Sequence, residues 1–179
     1  MTKNLRFCLD LNVWCAALLA DAKGRKDTAC QSLVEIVRRG ICSVGKVELV
    51  ISWGMLNCLQ LVLQNQPKLS VLKDDAVVFI EIITTYAQLS PQLTLGGTGV
   101  IPLDDDEDRH VLETAIAGKA TVLITANFQD FLTKEVQTIV SERHYIYRSS
   151  AHSFHIVHPF YIMSWLNQGQ IPDINQDFD

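Results

Sequence analysis

The feature that most constrains this chain is a repeated order along it: a short apolar run ending on a polar residue, then a segment with helical spacing. Residues 5–9 form the first such run. It ends at Asp10, is too short for a helix and suits a buried strand, with a helix following over residues 13–20. Asp27 then opens a second helix as an N-cap acid, with Ala29, Leu33, Ile36 and Val37 on its apolar face, Arg38 and Arg39 in its last turn and Gly40 as its stop. The β-branched run 47–51 ends at Ser52 and gives way to Met55, Leu56, Leu59, Val62 and Leu63 at helical spacing. Residues 74–87 read as a helix, 90–102 as a connector, 108–117 as a helix stopped by Gly118, and 122–125 as a strand. The spacing also predicts a helix over residues 128–140, a strand over 145–147 and a closing helix over 160–166 behind Pro159.

Parallel strands need crossover connections, so this alternation predicts an α/β fold, a three-layer α/β/α sandwich with a central parallel sheet. The 179 residues suit a single domain over 1–166 with a polar C-terminal tail over 167–179. At 48% apolar and 20% charged residues, the composition is that of a folding chain. The net charge of −5 excludes an unspecific cationic binder of nucleic acid, and the run Asp104, Asp105, Asp106, Glu107, Asp108 accounts for the whole deficit. Five cysteines, with no C-x-x-C spacing and all in or beside apolar segments, read as core thiols of a reducing cytoplasm. Asp10 and Asn12 interrupt the one stretch resembling a secretory leader, and residues 49–67 carry too many Ser, Asn and Gln to span a membrane. A cytoplasmic location without membrane contact is the expectation.

Parallel sheets bind ligands at the carboxyl ends of their strands. Asp10, Ser52 and the Thr125-Ala126-Asn127 turn each end one of the three clearest strands, so they should meet at one edge. A helix that crosses back before a strand runs antiparallel to it, which brings the start of helix 108–117, and with it Asp108, to the same edge. Carboxylates gathered in this way repel unless a cation lies between them, and Mg²⁺ is ordinarily held by one or two carboxylates plus waters and phosphate oxygens. Each motif by itself fits a plain helix cap equally well, since Asp and Asn are favoured there. Their convergence is what points to a site.

Several segments together resemble the PIN domain, a fold of metal-dependent ribonucleases that includes the VapC-type toxins of bacterial toxin–antitoxin pairs. They are Phe7-Cys8-Leu9-Asp10-Leu11-Asn12-Val13, Leu49-Val50-Ile51-Ser52, Asp105-x-x-Asp108-x-x-Val111-Leu112-x-x-Ala115, the run from Val122 to Phe131, and Val157-His158-Pro159. The resemblance implies a sheet of about five parallel strands, one weakly held Mg²⁺ or Mn²⁺ ion, and RNA hydrolysis by a metal-activated water. It implies Asp10 and Asp108 as the first and third metal-binding acids, with Ser52 and Thr125 as helper hydroxyls. Two positions depart from the family pattern. Cys58 stands where a glutamate is usual, and a thiol is a poor ligand for a hard cation. Asn127 stands at the fourth acid, where Asp130, three residues on, is the candidate replacement.

The implied partners are RNA, an antitoxin that inserts a basic side chain among the acids, and a second copy of the chain in a dimer. Lys23, Arg25 and Lys26 form a small basic loop able to touch RNA phosphates. His144, His152, His155 and His158 follow no zinc spacing. Three functions stay open on the residues: a metal-dependent endoribonuclease, a catalytically degenerate PIN domain acting as an RNA- or protein-binding module, and a receiver-like domain using Asp10 as phosphoacceptor.

Overall fold

The computed structural model of the chain describes residues 3–65, 73–89, 93–94 and 106–176. Strand β1 (Lys3–Leu9) leads into α1 (Leu11–Ala22) and α2 (Ala29–Arg39), followed by β2 (Gly45–Leu49), β3 (Ile51–Ser52) and α3 (Trp53–Asn65). Then come α4 (Lys73–Leu89), β4 (Leu93–Thr94), α5 (Asp106–Ala117), β5 (Val122–Ile124), a 3-10 turn (Gln129–Phe131), β6 (Val136–Val140), β7 (His144–Arg148), β8 (Ser153–Val157) and α6 (Pro159–Asn167). The result is an α/β sandwich in which helices flank a six-stranded sheet of order β2-β1-β5-β8-β7-β6, with β3 and β4 pairing separately. No helix among the described residues is long and apolar enough to cross a membrane.

The parallel part of the sheet, β2-β1-β5-β8, contains the three strands that the alternation predicts, at β1, β2 and β5, and adds β8, which it does not. Strand β5 and the end of β1 bury both faces: Phe7, Cys8 and Leu9 of β1 and all three residues of β5 are fully enclosed. Such two-sided burial is why they read as continuous apolar runs rather than alternating ones. The last two strands turn antiparallel. Residues 128–140, expected as a helix, instead form the 3-10 turn and edge strand β6. Val136, Thr138, Ile139 and Val140 are β-branched, and the turn at 141–143, with Glu142 at φ 56, is too short for anything but a hairpin return. A second hairpin turn, held by the Ser149 hydroxyl donating to the His152 carbonyl at 2.9 Å, joins β7 to β8.

Three local readings also shift. The cap of α2 is Thr28, in a reciprocal capping box with Gln31, while Asp27 sits before it at φ 59. The run 47–51 is split at Val50, whose amide donates to the Phe7 carbonyl at 2.8 Å, so β3 peels away from β2 to pair with β4. The residues after α6 are held down as far as 176. Ile171 is buried, the Pro172 carbonyl accepts from the buried His155 ring at 3.2 Å, and Arg148 donates to the Ile174 carbonyl at 2.9 Å.

Helix α5 owes its seat to a glycine. Gly118 closes the helix, yet the left-handed residue is Lys119 (φ 50). Gly118 is needed for space, because a Cβ there would collide with Cγ1 of Val50. Gly118→Ala is therefore expected to lift α5 from the sheet and destabilise the protein by about 1–3 kcal/mol, the usual range for overpacking. Urea unfolding checks this, and Val50→Ala in the same chain should recover part of the stability.

Candidate functional site

Parallel pairing of β1 with β5 sets Leu9 opposite Ile124, so the residues that follow them, Asp10 and Thr125, emerge side by side. The Asp10 amide donates to the Ile124 carbonyl at 3.0 Å, and that of Thr125 to the Val157 carbonyl at 3.1 Å. Asp10 is only 4% exposed. Its Oδ1 accepts from the Leu11 amide at 2.6 Å, capping α1, and its Oδ2 accepts from the Thr125 hydroxyl at 2.6 Å and from Asn12 Nδ2 at 2.5 Å. Burial pushes the Asp10 carboxyl up to about 6, against these three hydrogen bonds, and the nearby charge of Asp130 adds to the rise.

Thr125 carries the network onward. Its hydroxyl accepts from the Asn127 amide at 2.9 Å, and the Asn127 side-chain amide donates to Asp130 in the 3-10 turn. Asn12 Oδ1 accepts from the Ala126 amide at 3.2 Å, tying the start of α1 to the same loop. Asp10, Asn12, Thr125, Asn127 and Asp130 therefore form one connected set.

Ser52 belongs to a different pair. Fully buried, it accepts from the Met55 amide at 3.2 Å at the start of α3 and from the Thr114 hydroxyl of α5 at 2.8 Å. Among the described residues no hydrogen bond joins it to the Asp10 set; it ties α3 to α5. Asp108 enters through its backbone alone, its side chain lying outside the described residues. The Cys8 thiol meets the Val111 carbonyl at 4.0 Å. Asp108 comes one helical turn before Val111, about 4.5 Å back along α5, and Asp10 lies about 6.6 Å beyond Cys8 along β1. Helix and strand run oppositely, so both positions reach the same edge.

A family model described as a PIN domain matches residues 6–129, well over half of the chain. The chain belongs to the PIN domain family. The match takes in Asp10, Ser52, Asp108, Thr125 and Asn127 and stops one residue short of Asp130. Neither the curated proteins nor the solved structures give a match to this chain. Membership places the fold in a class that is generally nuclease-type or RNA-binding.

PIN domains generally use divalent metals, and oxygen is the donor a hard cation takes. Asp10, Asp130 and Asn127 carry oxygen, and a divalent cation would offset the burial that raises the Asp10 carboxyl. Among the described residues no three His, Cys, Asp or Glu side chains converge as they would in a closed cage. An open set of this kind would hold a divalent ion through one or two carboxylates and otherwise through water and phosphate. Cys58 is half-buried on α3, where it offers sulfur instead of oxygen.

Two α5 residues at this edge escape a reading of the sequence. Thr114 looks like one more small residue on an apolar face, and only the fold sets it against Ser52. The His110 ring lies over Gly54, where a Cβ would come within 2.9 Å of Nδ1, and that nitrogen is buried with no hydrogen-bond partner among the described residues. No spacing rule links positions 54 and 110. The four histidines between 144 and 158 separate into unlike roles: His144 and His155 pair in the core at 2.9 Å, His152 meets the Ala120 carbonyl at 2.6 Å, and His158 caps α6.

Thr125→Val keeps the shape of the side chain but removes the donor to Asp10. It is expected to cost about 1.5–3 kcal/mol in urea unfolding, the range for a hydrogen bond to a charged group. It should also drive the Asp10 carboxyl above 6 in an NMR titration, while Thr125→Ser leaves both near wild type.

Proposed function

We propose that this PIN domain is a metal-dependent endoribonuclease of the toxin type, hydrolysing RNA phosphodiesters. The observation that carries the reading is the buried Asp10 carboxyl at the strand ends, held by three donors yet pushed up to about 6, with the charge of Asp130 acting on it. A group kept only to cap α1 would be served as well by an exposed acid. Buried charge near a second carboxylate is instead the arrangement found at working sites.

In this reading Asp10, Asp108 and Asp130 hold one Mg²⁺ or Mn²⁺. Thr125 and Asn12 fix the rotamer of Asp10, and Asn127 aims Asp130. When bound, the ion supplies acidification of a water and charge stabilisation at the phosphate. Ser52, through Thr114, sets the distance of α5 from the strand ends. The same proposal includes a cytoplasmic location, an antitoxin presenting Arg or Lys to these acids, and a homodimer. The exposed Val78, Ile82 and Leu89 of α4 support the last of these.

Mn²⁺ titration tests the reading. Proton and cation compete for Asp10, so affinity should rise with pH through about 6 and level off above it. The melting temperature should climb more on adding Mn²⁺ at pH 7.5 than at pH 5, with about 2.7 kcal/mol of added stability at one hundred times the dissociation constant. Asp10→Ala should abolish the rise. A rise of equal size in the Asp10→Ala, Asp108→Ala double variant would locate the ion elsewhere and end the assignment.

Cys58 and Asn127 favour a second reading, a PIN domain that has lost catalysis and persists as a binding module. Cys58→Glu separates the two. A working site should gain an oxygen ligand, bind Mn²⁺ more tightly and cleave RNA faster. An abandoned one should lose about 1–3 kcal/mol in thermal unfolding, with no rescue by metal.

A further inference from the structure

A stack of rings leads outward from the Asn127–Asp130 loop. Phe128, buried at 4% exposure, faces the His158 ring with centroids 6.5 Å apart and planes 15° from parallel. His158 in turn stacks on Phe160 at 5.5 Å and 22°. The last ring is 71% exposed, an unusual position for a phenylalanine in the first turn of a helix whose apolar residues are otherwise inward. Because β8 runs parallel to β5, His158 leaves the sheet at the same edge as Thr125. The stack therefore begins beside the Asp10 network and ends in solvent.

Phe160 also divides two surface clefts. On one side a cleft of about 400 Å³ is lined by Arg143, His158 and Tyr161, with Glu142 at its margin. On the other, a cleft of about 340 Å³ between α1 and the start of α2 brings in Lys23 and Arg25. Arg143 is fixed to the stack by its backbone, whose carbonyl accepts from the His158 amide at 2.9 Å. Its charge reaches the His158 ring, which burial and Arg143 together hold below the usual histidine range. The order across the surface is thus cation, aromatic platform, cation, in a protein whose net charge is −5.

Duplex RNA keeps its bases stacked on one another and offers no face to a protein ring, whereas a single strand can lay an open base on an aromatic side chain. We propose that Phe160 is a stacking platform for one base of a single-stranded RNA, with Arg143 on one side and Lys23 and Arg25 on the other taking its phosphates, so that the strand is led to the Asp10 edge. The proposal rests on the reading of this PIN domain as acting on RNA. It adds where on the surface the strand lies and which ring holds a base.

The test uses the full chain in EDTA, which blocks cleavage, and a fluorescein-labelled single-stranded oligoribonucleotide of about ten nucleotides, near the site size of one binding module. Anisotropy reads the affinity. Phe160→Ala is expected to weaken binding roughly 5- to 100-fold, the worth of one base–aromatic stack, while Phe160→Trp restores it. Arg143→Gln and the Lys23→Gln, Arg25→Gln pair should each weaken binding and flatten its salt dependence by about 0.7 in slope for every phosphate left without its cation. Glu142→Gln should tighten it. Phe160 is exposed, so each variant should melt with the wild type. If the wild type binds the single strand and Phe160→Ala binds it equally well, or if a duplex of the same sequence binds as tightly, the platform is refuted and the RNA reading stands. If the wild type binds no RNA in EDTA and cleaves none with Mn²⁺, both fall together.

Discussion

Everything at the candidate site depends on one register, the parallel pairing of β1 with β5 that sets Leu9 against Ile124. A shift of one residue would turn Asp10 to the other face of the sheet and leave Thr125 without its acceptor. The register is held from several sides. Phe7, Leu9 and the three residues of β5 are buried between helical layers, the Trp14 indole donates to the Leu9 carbonyl at 3.1 Å, and its ring lies against Phe79 and Tyr86. The core that gives the protein stability is thus also what aims its carboxylate.

That carboxylate is under electrostatic load. Three donors on one buried group would ordinarily hold it well ionised, yet burial outweighs them and Asp130 adds its own charge. The surrounding loop adds neutral hydrogen bonds to the Asn12 and Thr125 side chains, from Asn12 Nδ2 to Thr125 and from the Ala126 and Asn127 amides, with no basic residue among those partners. In the proposed reading such an edge takes a small hard cation and, through it, a phosphate. The basic residues stand further out, at Arg143 and on the loop after α1, where they can receive a strand without neutralising the acids.

Strands β1, β2 and β5 were legible because they are short, mainly apolar and bounded by polar ends, and because crossover helices have their own period; β8 was not. Asp10 and Thr125 were legible for the same reason, as the residues that follow those strands, and Asp108 as the start of a helix running back against them. The antiparallel edge was not. Residues 136–140 carry β-branched residues whose strand state depends on β7 lying alongside, and that pairing is not written in local spacing. Ser52 was legible as a strand end, but its partner Thr114, sixty-two residues away, was not.

By itself, then, the sequence determined the layered α/β architecture, through periodicity and chain direction, and pointed to the family through the resemblance of its motifs. Tertiary structure alone decided what those residues do to one another. It buried Asp10 and raised its carboxyl, joined Asn127 to Asp130, sent Ser52 to Thr114 rather than to the acids, and left Phe160 at the open end of a ring stack. These are consequences of burial and of packing between distant segments, and neither exists until the chain has folded.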